Sequence, residues 1–340
     1  MFITIRDLLV SFRTYGGSVS AVRGVNLDID RGECLAIVGE SGCGKSVTAQ
    51  TIMRLIPSPP AMISGSITMD GVNLLSLSEK KMKEIRGRKI GMIFQDPMTS
   101  LDPTMQIGKQ IMEGLRIHDR SLTKAQAIAK VNEVLGLVGI PNPEAQFKRY
   151  AYEFSGGMRQ RAVIAMAVIC NPQLLIADEP TTALDVTTQA QILDLICGLK
   201  TKFGTSVVII THDMGVVANM ADRIAVFYAG QVVEEGSAVD VFGNPSHPYT
   251  AALLLSRPRL DRNRNQKLVS IGGTPPDLFA PPVGCGFCDR CSYAMEVCRE
   301  HLPQFFDINE QGHKALYWLH HDFARDIKRD WLAGREAVGA

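Results

Sequence analysis

Neither positive nor negative charge is in excess in this sequence. The sequence also lacks a long apolar run. Its 340 residues contain 36 Lys and Arg against 35 Asp and Glu, which leaves a formal charge of +1. A chain so nearly neutral has no overall field that would attract nucleic acid or anionic lipid, so no nucleic-acid partner is predicted. No run of about 18 uncharged apolar residues occurs, as a membrane-spanning helix would require. Partners are therefore expected to be recognised through local surfaces.

The first residues, MFITIRDLLVSF, also lack the features of a secretory signal. They carry an early charge pair and no apolar stretch that ends in small residues. We therefore expect a cytosolic protein, or one that is attached to a membrane only through its partners. The apolar content of 46% is enough for a packed core, and the length suits one large domain with an appendage.

Short β-branched runs alternate with helical patterns along most of the chain. The predicted strands are CLAIVG, KIGMIFQ, LLIAD, SVVIITHD and RIAVFYAG. This alternation predicts an α/β fold with a mostly parallel sheet. Between the second and third of these strands the apolar residues recur at helical spacing, which predicts a helical insertion at about 97–166. We predict a main domain at 1–255, a polar linker at 256–269 and a small Cys-rich segment at 270–340.

Residues 39–46, GESGCGKS, match the phosphate-loop pattern G-x-x-x-x-G-K-[ST]. The loop stands between the apolar run CLAIV and a helical segment, as a phosphate loop requires. Its glycines let backbone N–H groups turn towards phosphates, and the following helix N-terminus adds positive potential. Lys45 is expected to reach the β- and γ-phosphates, and Ser46 to offer its hydroxyl to Mg²⁺. The predicted nucleotide-binding residues of this loop are Gly39, Ser41, Gly42, Gly44, Lys45 and Ser46.

Four further polar residues stand at the ends of three predicted strands and are expected at the same end of the sheet. Asp178 would hold Mg²⁺ and Glu179 would polarise the attacking water. An acid after a buried strand often only caps the next helix, but the phosphate loop upstream favours the catalytic interpretation. His212 follows SVVII and is expected to contact the γ-phosphate. Gln95 follows KIGMIF and would contact Mg²⁺ and water, with an ordinary surface glutamine as the alternative.

Residues 154–160, FSGGMRQ, resemble the LSGGQ signature of the ABC ATPases, and they lie just upstream of LLIADE as that family requires. Small residues at the start of a helix expose N–H groups and a hydroxyl to an anion. The signature residues expected to contact nucleotide are Ser155, Gly156 and Gly157.

The resemblance to the ABC ATPases implies roles for further residues. Gln95 corresponds to the Q-loop, residues 183–185 with Asp185 to the D-loop, and His212 to the switch histidine. The aromatic residue that stacks on adenine in this family corresponds to Phe12, with Tyr15 as the alternative. The family pairs two cassettes head to tail, so that each ATP lies between one phosphate loop and the other subunit's signature. This chain carries one of each, which implies a second ATPase subunit.

Residues 95–103, QDPMTSLDP, and 247–250, HPYT, together with the Cys-rich tail, narrow the resemblance. Over almost the whole chain the sequence resembles the D-type ATPase of dipeptide and oligopeptide importers. The resemblance implies a homologous ATPase partner, two transmembrane permease subunits, an extracytoplasmic solute-binding protein and a peripheral position at the cytoplasmic face of the inner membrane. Related importers carry nickel or other solutes, so a different cargo is the alternative.

Two competing classes of protein are a soluble ABC ATPase of translation or DNA repair and a nucleotide sensor without catalysis. Translation proteins of this type usually carry two cassettes, and repair proteins carry long coiled coils or zinc insertions within the cassette; neither feature occurs here. A sensor is disfavoured because Glu179 and His212 are both present.

Four of the eight cysteines form a C-x2-C-x2-C-x6-C run. The first three cysteines are separated by two residues each, which is the spacing of the cysteines that bind [4Fe–4S] clusters in bacterial ferredoxins. We therefore predict that such a cluster is held by Cys285, Cys288, Cys291 and Cys298. Zinc is the alternative, although four-cysteine zinc sites usually consist of two separated pairs. Disulfides are disfavoured in a reducing cytosol.

The peptide-importer family commonly shows C-x5-C-x6-C and a later Cys-His. This sequence keeps Cys285, Cys291 and Cys298, has no cysteine near 317–320 and gains Cys288. We therefore expect Cys288 rather than His320 as the fourth ligand, and a structural or redox-regulatory role for the cluster.

Overall fold

The computed structural model describes residues 1–182, 184–256, 271–324 and residue 327, without the side chain of Val216. The predicted linker, apart from Ser256 at its start, lies outside the described residues, as does Ala183 of the predicted D-loop. The described part of the chain contains two sheets, of four and eight strands. Helices surround the larger sheet and connect its strands.

The larger sheet carries the site residues. Its strands are β3 (Cys34–Val38), β6 (Ile90–Ile93), β7 (Leu174–Asp178), β8 (Ser206–Ile210), β9 (Arg223–Tyr228), β10 (Gln231–Ser237), β11 (Phe305–Asp307) and β12 (Lys314–Leu316). Their spatial order is β11-β12-β10-β9-β3-β8-β7-β6. The strands from β9 to β6 are parallel, and the others pair antiparallel. This confirms the predicted α/β fold with a mostly parallel sheet.

The parallel strands read as unbroken apolar runs because helices or the second sheet cover both of their faces. Every residue of β3, β7 and β8 is buried. Alternate residues of these strands belong to two different cores. Their side chains therefore join both layers of the molecule, while their ends stay at the surface.

The smaller sheet is antiparallel, and the sequence patterns do not predict it as a separate layer. It consists of β1 (Ile3–Thr14), β2 (Gly17–Ile29), β4 (Ala61–Met69) and β5 (Val72–Asn73), in the order β2-β1-β4-β5. Its buried residues, among them Ile5 and Val10, share one core with Leu35 and Ile37 of β3. This core supports the strand from which the phosphate loop departs.

Twelve α-helices lie in the described part of the chain. They are α1 (Lys45–Ile52), α2 (Glu79–Ile85), α3 (Pro97–Ser100), α4 (Ile107–His118), α5 (Lys124–Leu137), α6 (Pro143–Gln146), α7 (Gly156–Val168), α8 (Val186–Phe203), α9 (Met214–Met220), α10 (Ala238–Gly243), α11 (Pro248–Leu255) and α12 (Glu296–Glu300). Helices α3 to α7 form the insertion between β6 and β7. No described helix has both the length and the apolar content that crossing a membrane requires. The predicted domain boundaries stay predictions.

Helix α5 of the insertion shows how the sequence sets its limits. Thr123 accepts a hydrogen bond from the backbone N–H of Gln126, whose side chain bonds back to the backbone of Thr123. This capping box satisfies N–H groups that a helix start leaves free. Ala127, Val131 and Leu135 then follow at intervals of four and are buried. The helix thus packs one face against the rest of the insertion.

The C-terminal segment continues the main sheet beyond β10. Strand β12 pairs with β10, and β11 pairs with β12. Beneath this pairing the carboxylate of Glu234, which is fully buried, accepts hydrogen bonds from the backbone N–H groups of Ser246 and His247. His313 Nε2 lies 2.8 Å from the same carboxylate. Glu234 therefore joins the segment that carries the cysteines to the main domain.

Candidate active site

The phosphate loop runs from the end of β3 to the start of α1, and two of its glycines leave no room for a side chain. Gly39 has φ +148°, and a Cβ there would lie 2.2 Å from the carbonyl oxygen of Phe227. Gly44 has φ +99°, and its Cβ would lie 2.5 Å from the carbonyl oxygen of Ala21. The glycines of the motif therefore allow neighbouring strands to press against the loop.

Lys45 is buried, and its Nζ donates to the carbonyl oxygens of Gly39 and Glu40, each at 2.8 Å. Helix α1 begins after Gly44 and has no side-chain cap. Its first N–H groups are therefore available to an anion. Lysine and free amides together form a site that suits the phosphates of a nucleotide.

Ser46 and Asp178 come together across the sheet. The hydroxyl of Ser46 donates to Oδ1 of Asp178 at 2.8 Å. Burial raises the pKa of Asp178, while the hydrogen bond from Ser46 lowers it in part. Two neighbouring oxygen ligands that are partly withdrawn from water are a donor set that suits Mg²⁺.

Glu179 lies at a sharp turn directly after β7. Its φ is +46°, an uncommon value for a residue with a side chain, and its backbone N–H still donates to the carbonyl of Ile210 at 2.9 Å. Gln95 Nε2 donates to Oε2 of Glu179 at 2.8 Å, and Thr182 Oγ1 donates to the same oxygen at 3.0 Å. His212 Nδ1 lies 3.6 Å from Oε1. The structure thus brings Gln95, Glu179 and His212 together.

This meeting follows from the order of the strands. Because β6, β7 and β8 are parallel neighbours, the residues after their carboxyl ends lie side by side. The loop that ends β3 is next to them. An open cleft joins these parts, and it is lined by Ala21, Ser41, Gly42, Gly44, Lys45, Ser46, Val47, Gln95 and Glu179. Sequence reasoning missed Thr182, whose position three residues after Glu179 in a turn is the signal that could have indicated it.

The signature residues lie at the start of α7. The hydroxyl of Ser155 accepts a hydrogen bond from the N–H of Met158 at 3.3 Å and caps the helix. A Cβ on Gly157 would lie 2.9 Å from Cγ2 of Thr188, so the glycine allows α8 to approach. Ser155 and Gly156 are both exposed.

Asp185 is a helix cap in this structure. Its carboxylate accepts hydrogen bonds from the backbone N–H and the hydroxyl of Thr188, at 3.0 and 2.7 Å, and thereby caps α8. These hydrogen bonds hold the pKa of Asp185 below its usual value. The carboxylate is therefore ionised and fixed at the surface.

The two aromatic candidates for adenine have different surroundings. Phe12 of β1 is half-buried and packs against the core of the smaller sheet. Tyr15 is fully exposed in the turn between β1 and β2. Neither lines the cleft at the phosphate loop. The contact of Phe12 with adenine, with Tyr15 as the alternative, stays a prediction.

The C-terminal segment contacts the phosphate loop, which the sequence does not indicate. Arg290 forms a bidentate ion pair with Glu40, with N···O distances of 2.7 and 2.9 Å. The hydroxyl of Tyr249 accepts a hydrogen bond from the N–H of Glu40 at 2.8 Å. The large separation in sequence suggests that the cysteine run lies far from the ATP site. In space, Arg290 places it beside the loop.

The four cysteines of the run share one neighbourhood. Cys285, Cys288 and Cys298 are buried and Cys291 is half-buried, and the N–H of Cys285 donates to the carbonyl of Cys298 at 2.8 Å. Burial raises the pKa of Cys285 to about 12, and the three other thiols add to the shift. His320 Nε2 lies 2.8 Å from the carbonyl oxygen of Ser246. Within the described residues, no three His, Cys, Asp or Glu side chains are arranged to hold a metal ion, so the cluster and its zinc alternative stay predictions.

Known protein families and relatives match most of this chain. Residues 22–182 match the ABC transporter family, and residues 233–298 match the C-terminal region of oligopeptide and dipeptide transporters. The oligopeptide transport ATP-binding protein OppD of Bacillus subtilis is 55% identical over 94% of this chain and 89% of its own length. The dipeptide transport ATP-binding protein DppD of the same organism is 54% identical over 93% and 94%.

Solved structures show the same likeness. A dimeric ATP-binding cassette, MJ0796, bound to ADP and phosphate aligns with a TM-score of 0.63 and 28% identity, over 69% of this chain and 98% of that one. CbiO1 of Clostridium perfringens, part of a transporter complex, aligns with a TM-score of 0.60 and 28% identity, over 72% and 91%.

Proposed function

This chain belongs to the ATP-binding proteins of the ABC transporter family, and we propose that its ATP hydrolysis powers the import of dipeptides or oligopeptides. The observation that carries the proposal is the meeting of Lys45, Glu179 and His212 at one end of a parallel sheet. The peptide cargo is supported by the match of residues 233–298 and by the names of the relatives. Nickel or another solute is the alternative cargo.

The residues of the cleft have distinct roles in the proposed reaction. Lys45 would exchange its bonds to the loop carbonyls for bonds to the β- and γ-phosphates. Glu179 orients and polarises the attacking water, and Gln95 and Thr182 hold its carboxylate in place. His212 is 68% exposed beside this carboxylate and can reach a γ-phosphate from the same side.

Mg²⁺ would be held by the Ser46 hydroxyl, the Asp178 carboxylate and the Gln95 amide oxygen. The 2.8 Å contact between Ser46 and Asp178 supports the first two ligands. The ion would offset charge on the phosphates when bound. Burial raises the pKa of Asp178, and a bound Mg²⁺ would favour its ionised form.

A second ATPase subunit is required in this proposal. The exposed Ser155 and Gly156 would contact the nucleotide of a homologous partner, while the partner's signature covers the nucleotide of this chain. Two transmembrane permease subunits and an extracytoplasmic solute-binding protein would complete the importer. The chain would then lie at the cytoplasmic face of the inner membrane, in contact with the permeases through the insertion and Gln95.

Uptake by cells tests the proposal. In a strain that depends on this transporter, the uptake of labelled dipeptide, oligopeptide and nickel is compared between the wild type, Glu179→Gln and the control Glu84→Gln, at an exposed residue of α2. We expect Glu179→Gln alone to abolish uptake. Normal peptide uptake in this variant contradicts the proposal, and loss of nickel uptake with normal peptide uptake favours the alternative cargo.

We also propose that Cys285, Cys288, Cys291 and Cys298 hold a [4Fe–4S] cluster, with zinc as the alternative. The support is the shared neighbourhood of the thiols, because positive iron would stabilise the thiolates that burial disfavours. Anaerobic purification followed by iron, sulfide and zinc analysis tests this. About four irons per chain are expected, and one zinc without labile sulfide would contradict the cluster.

A further inference from the structure

Glu40, the second residue of the phosphate loop, is held by groups that lie far away in the sequence. Its carboxylate accepts two hydrogen bonds from Arg290, and its N–H donates to the hydroxyl of Tyr249. Its carbonyl oxygen accepts from Lys45. All polar groups of Glu40 are therefore engaged, and two of the partner residues, Arg290 and Tyr249, belong to the last hundred residues of the chain.

Arg290 is itself fixed in this position. Its side chain is 4% exposed, its Nε donates to the carbonyl oxygen of Gly272 at 2.8 Å, and its Nη1 donates to the hydroxyl of Tyr228 at 3.1 Å. The hydrogen bond to Glu40 raises the pKa of Arg290, so the guanidinium is charged. A buried cation with a bidentate carboxylate partner holds that partner in one geometry.

The same part of the chain lies along the phosphate loop. Pro275, Pro276 and Leu278 line a cavity together with Ser41 and Gly42. The carbonyl of Leu278 accepts a hydrogen bond from the N–H of Ser20 in β2 at 2.9 Å. The loop is thus supported on one side by the main sheet and on another by the segment that carries the cysteines.

We propose that Arg290 is a positioning residue of the nucleotide site, which neutralises and orients Glu40 so that the phosphate loop accepts a triphosphate. Without Arg290, an unpaired carboxylate in the loop would repel the phosphates, and the loop would lose a support. The inference rests on the proposed binding of ATP at this loop. Because coupling between sites is reciprocal, bound ATP should also stabilise the segment around Arg290.

The affinity of the purified full-length chain for a fluorescent ATP analogue tests the inference. We expect Arg290→Ala to weaken binding about tenfold. In the Arg290→Ala background, Glu40→Gln should restore most of the affinity, because the repelling charge is gone. A purely structural role for Arg290 would give no such rescue. The matched control is Arg299→Ala, whose exposed side chain pairs with Asp289 in the same segment.

A second measurement uses only the wild-type chain, so it does not depend on whether Arg290→Ala folds. In the wild-type chain, hydrogen exchange of residues 284–291 should slow severalfold when ATP binds. ATP binding without any change in exchange there would overturn the inference, as would unchanged affinity in Arg290→Ala or absence of the rescue by Glu40→Gln. A wild-type chain that binds no ATP would overturn the proposed function and this inference with it.

Discussion

The carboxylate of Glu179 has polar neighbours at both of its oxygens. Gln95 and Thr182 donate to one oxygen, and His212 lies beside the other. Glu179 lines the cleft at the phosphate loop, and its positive φ has a cost in backbone strain. We therefore propose that the direction of this side chain matters to ATP hydrolysis.

Glu179→Gln should therefore separate ATP binding from ATP hydrolysis. The amide occupies the same space but polarises water poorly, so we expect turnover to fall about a hundredfold or more while ATP stays bound. ATPase rates and nucleotide retention are measured in the assembled transporter, with Glu84→Gln as the control. Undiminished turnover would refute the role of Glu179.

Lys45→Ala should act on binding instead. Loss of a charged donor to the phosphates is expected to weaken ATP affinity about tenfold or more. Equilibrium binding of an ATP analogue measures this, and Lys80→Ala on the exposed face of α2 serves as the control. Equal affinities in the wild type and Lys45→Ala would count against the phosphate-loop assignment.

At the scale of elements, the sequence reveals the strands that end at the site. β3, β7 and β8 are unbroken apolar runs, and each is followed by polar residues at the carboxyl end. The smaller sheet escapes prediction because the alternation of β1 is interrupted. Its register shifts between Ile5 and Leu8, and Asp7 in this interval has a positive φ. Such irregular pairing breaks the period on which a prediction of strands rests.

The contact between Glu40 and Arg290 cannot be predicted from the sequence, for a reason that differs from that of the smaller sheet. The two residues are 250 positions apart, and neither stands in a pattern that specifies its partner. Gln95, Glu179 and His212 could be brought together because parallel strands share a direction. No comparable rule places a turn of the C-terminal segment against a loop of the main domain.

Helix α11 carries a pH-sensitive cap. His247 is buried, and its Nδ1 accepts a hydrogen bond from the N–H of Tyr249 at 3.1 Å. Burial lowers the pKa of His247 to about 3, and nearby His320 adds to the shift. The unfolded chain takes up a proton near the ordinary value of 6.5, so the folded state loses stability as the pH falls from about 6.5 towards 3.

His247→Asn should reduce this loss, because asparagine caps a helix without titrating. Between pH 7 and pH 5 the free energy of unfolding of the wild type should fall about 2 kcal/mol more than that of the variant. Urea unfolding at both pH values measures the difference. His301→Asn, at an exposed histidine, is the control. Parallel losses in the wild type and His247→Asn would contradict a neutral, buried His247.

At the scale of the whole molecule, the phosphate loop and the signature cannot both serve one nucleotide in one chain if the cassettes pair head to tail. The purified chain alone should therefore bind ATP but hydrolyse it slowly, and the rate should rise when the homologous ATPase and the permeases are added. Steady-state ATPase assays over a range of protein concentrations measure this. High activity that is independent of concentration and of the other subunits would sink the prediction.

The pairing of β12 with β10 has a consequence for any shortened form of the protein. A chain that stops at Ser256 would lack both β11 and β12, and the outer row of N–H and C=O groups on β10 would be left open. The carboxylate of Glu234 would also lose His313. Open strand edges recruit other copies, so we expect such a fragment to aggregate where the full chain stays dispersed, as light scattering would reveal. The C-terminal segment would then prevent self-association of the protein by covering the edge of β10.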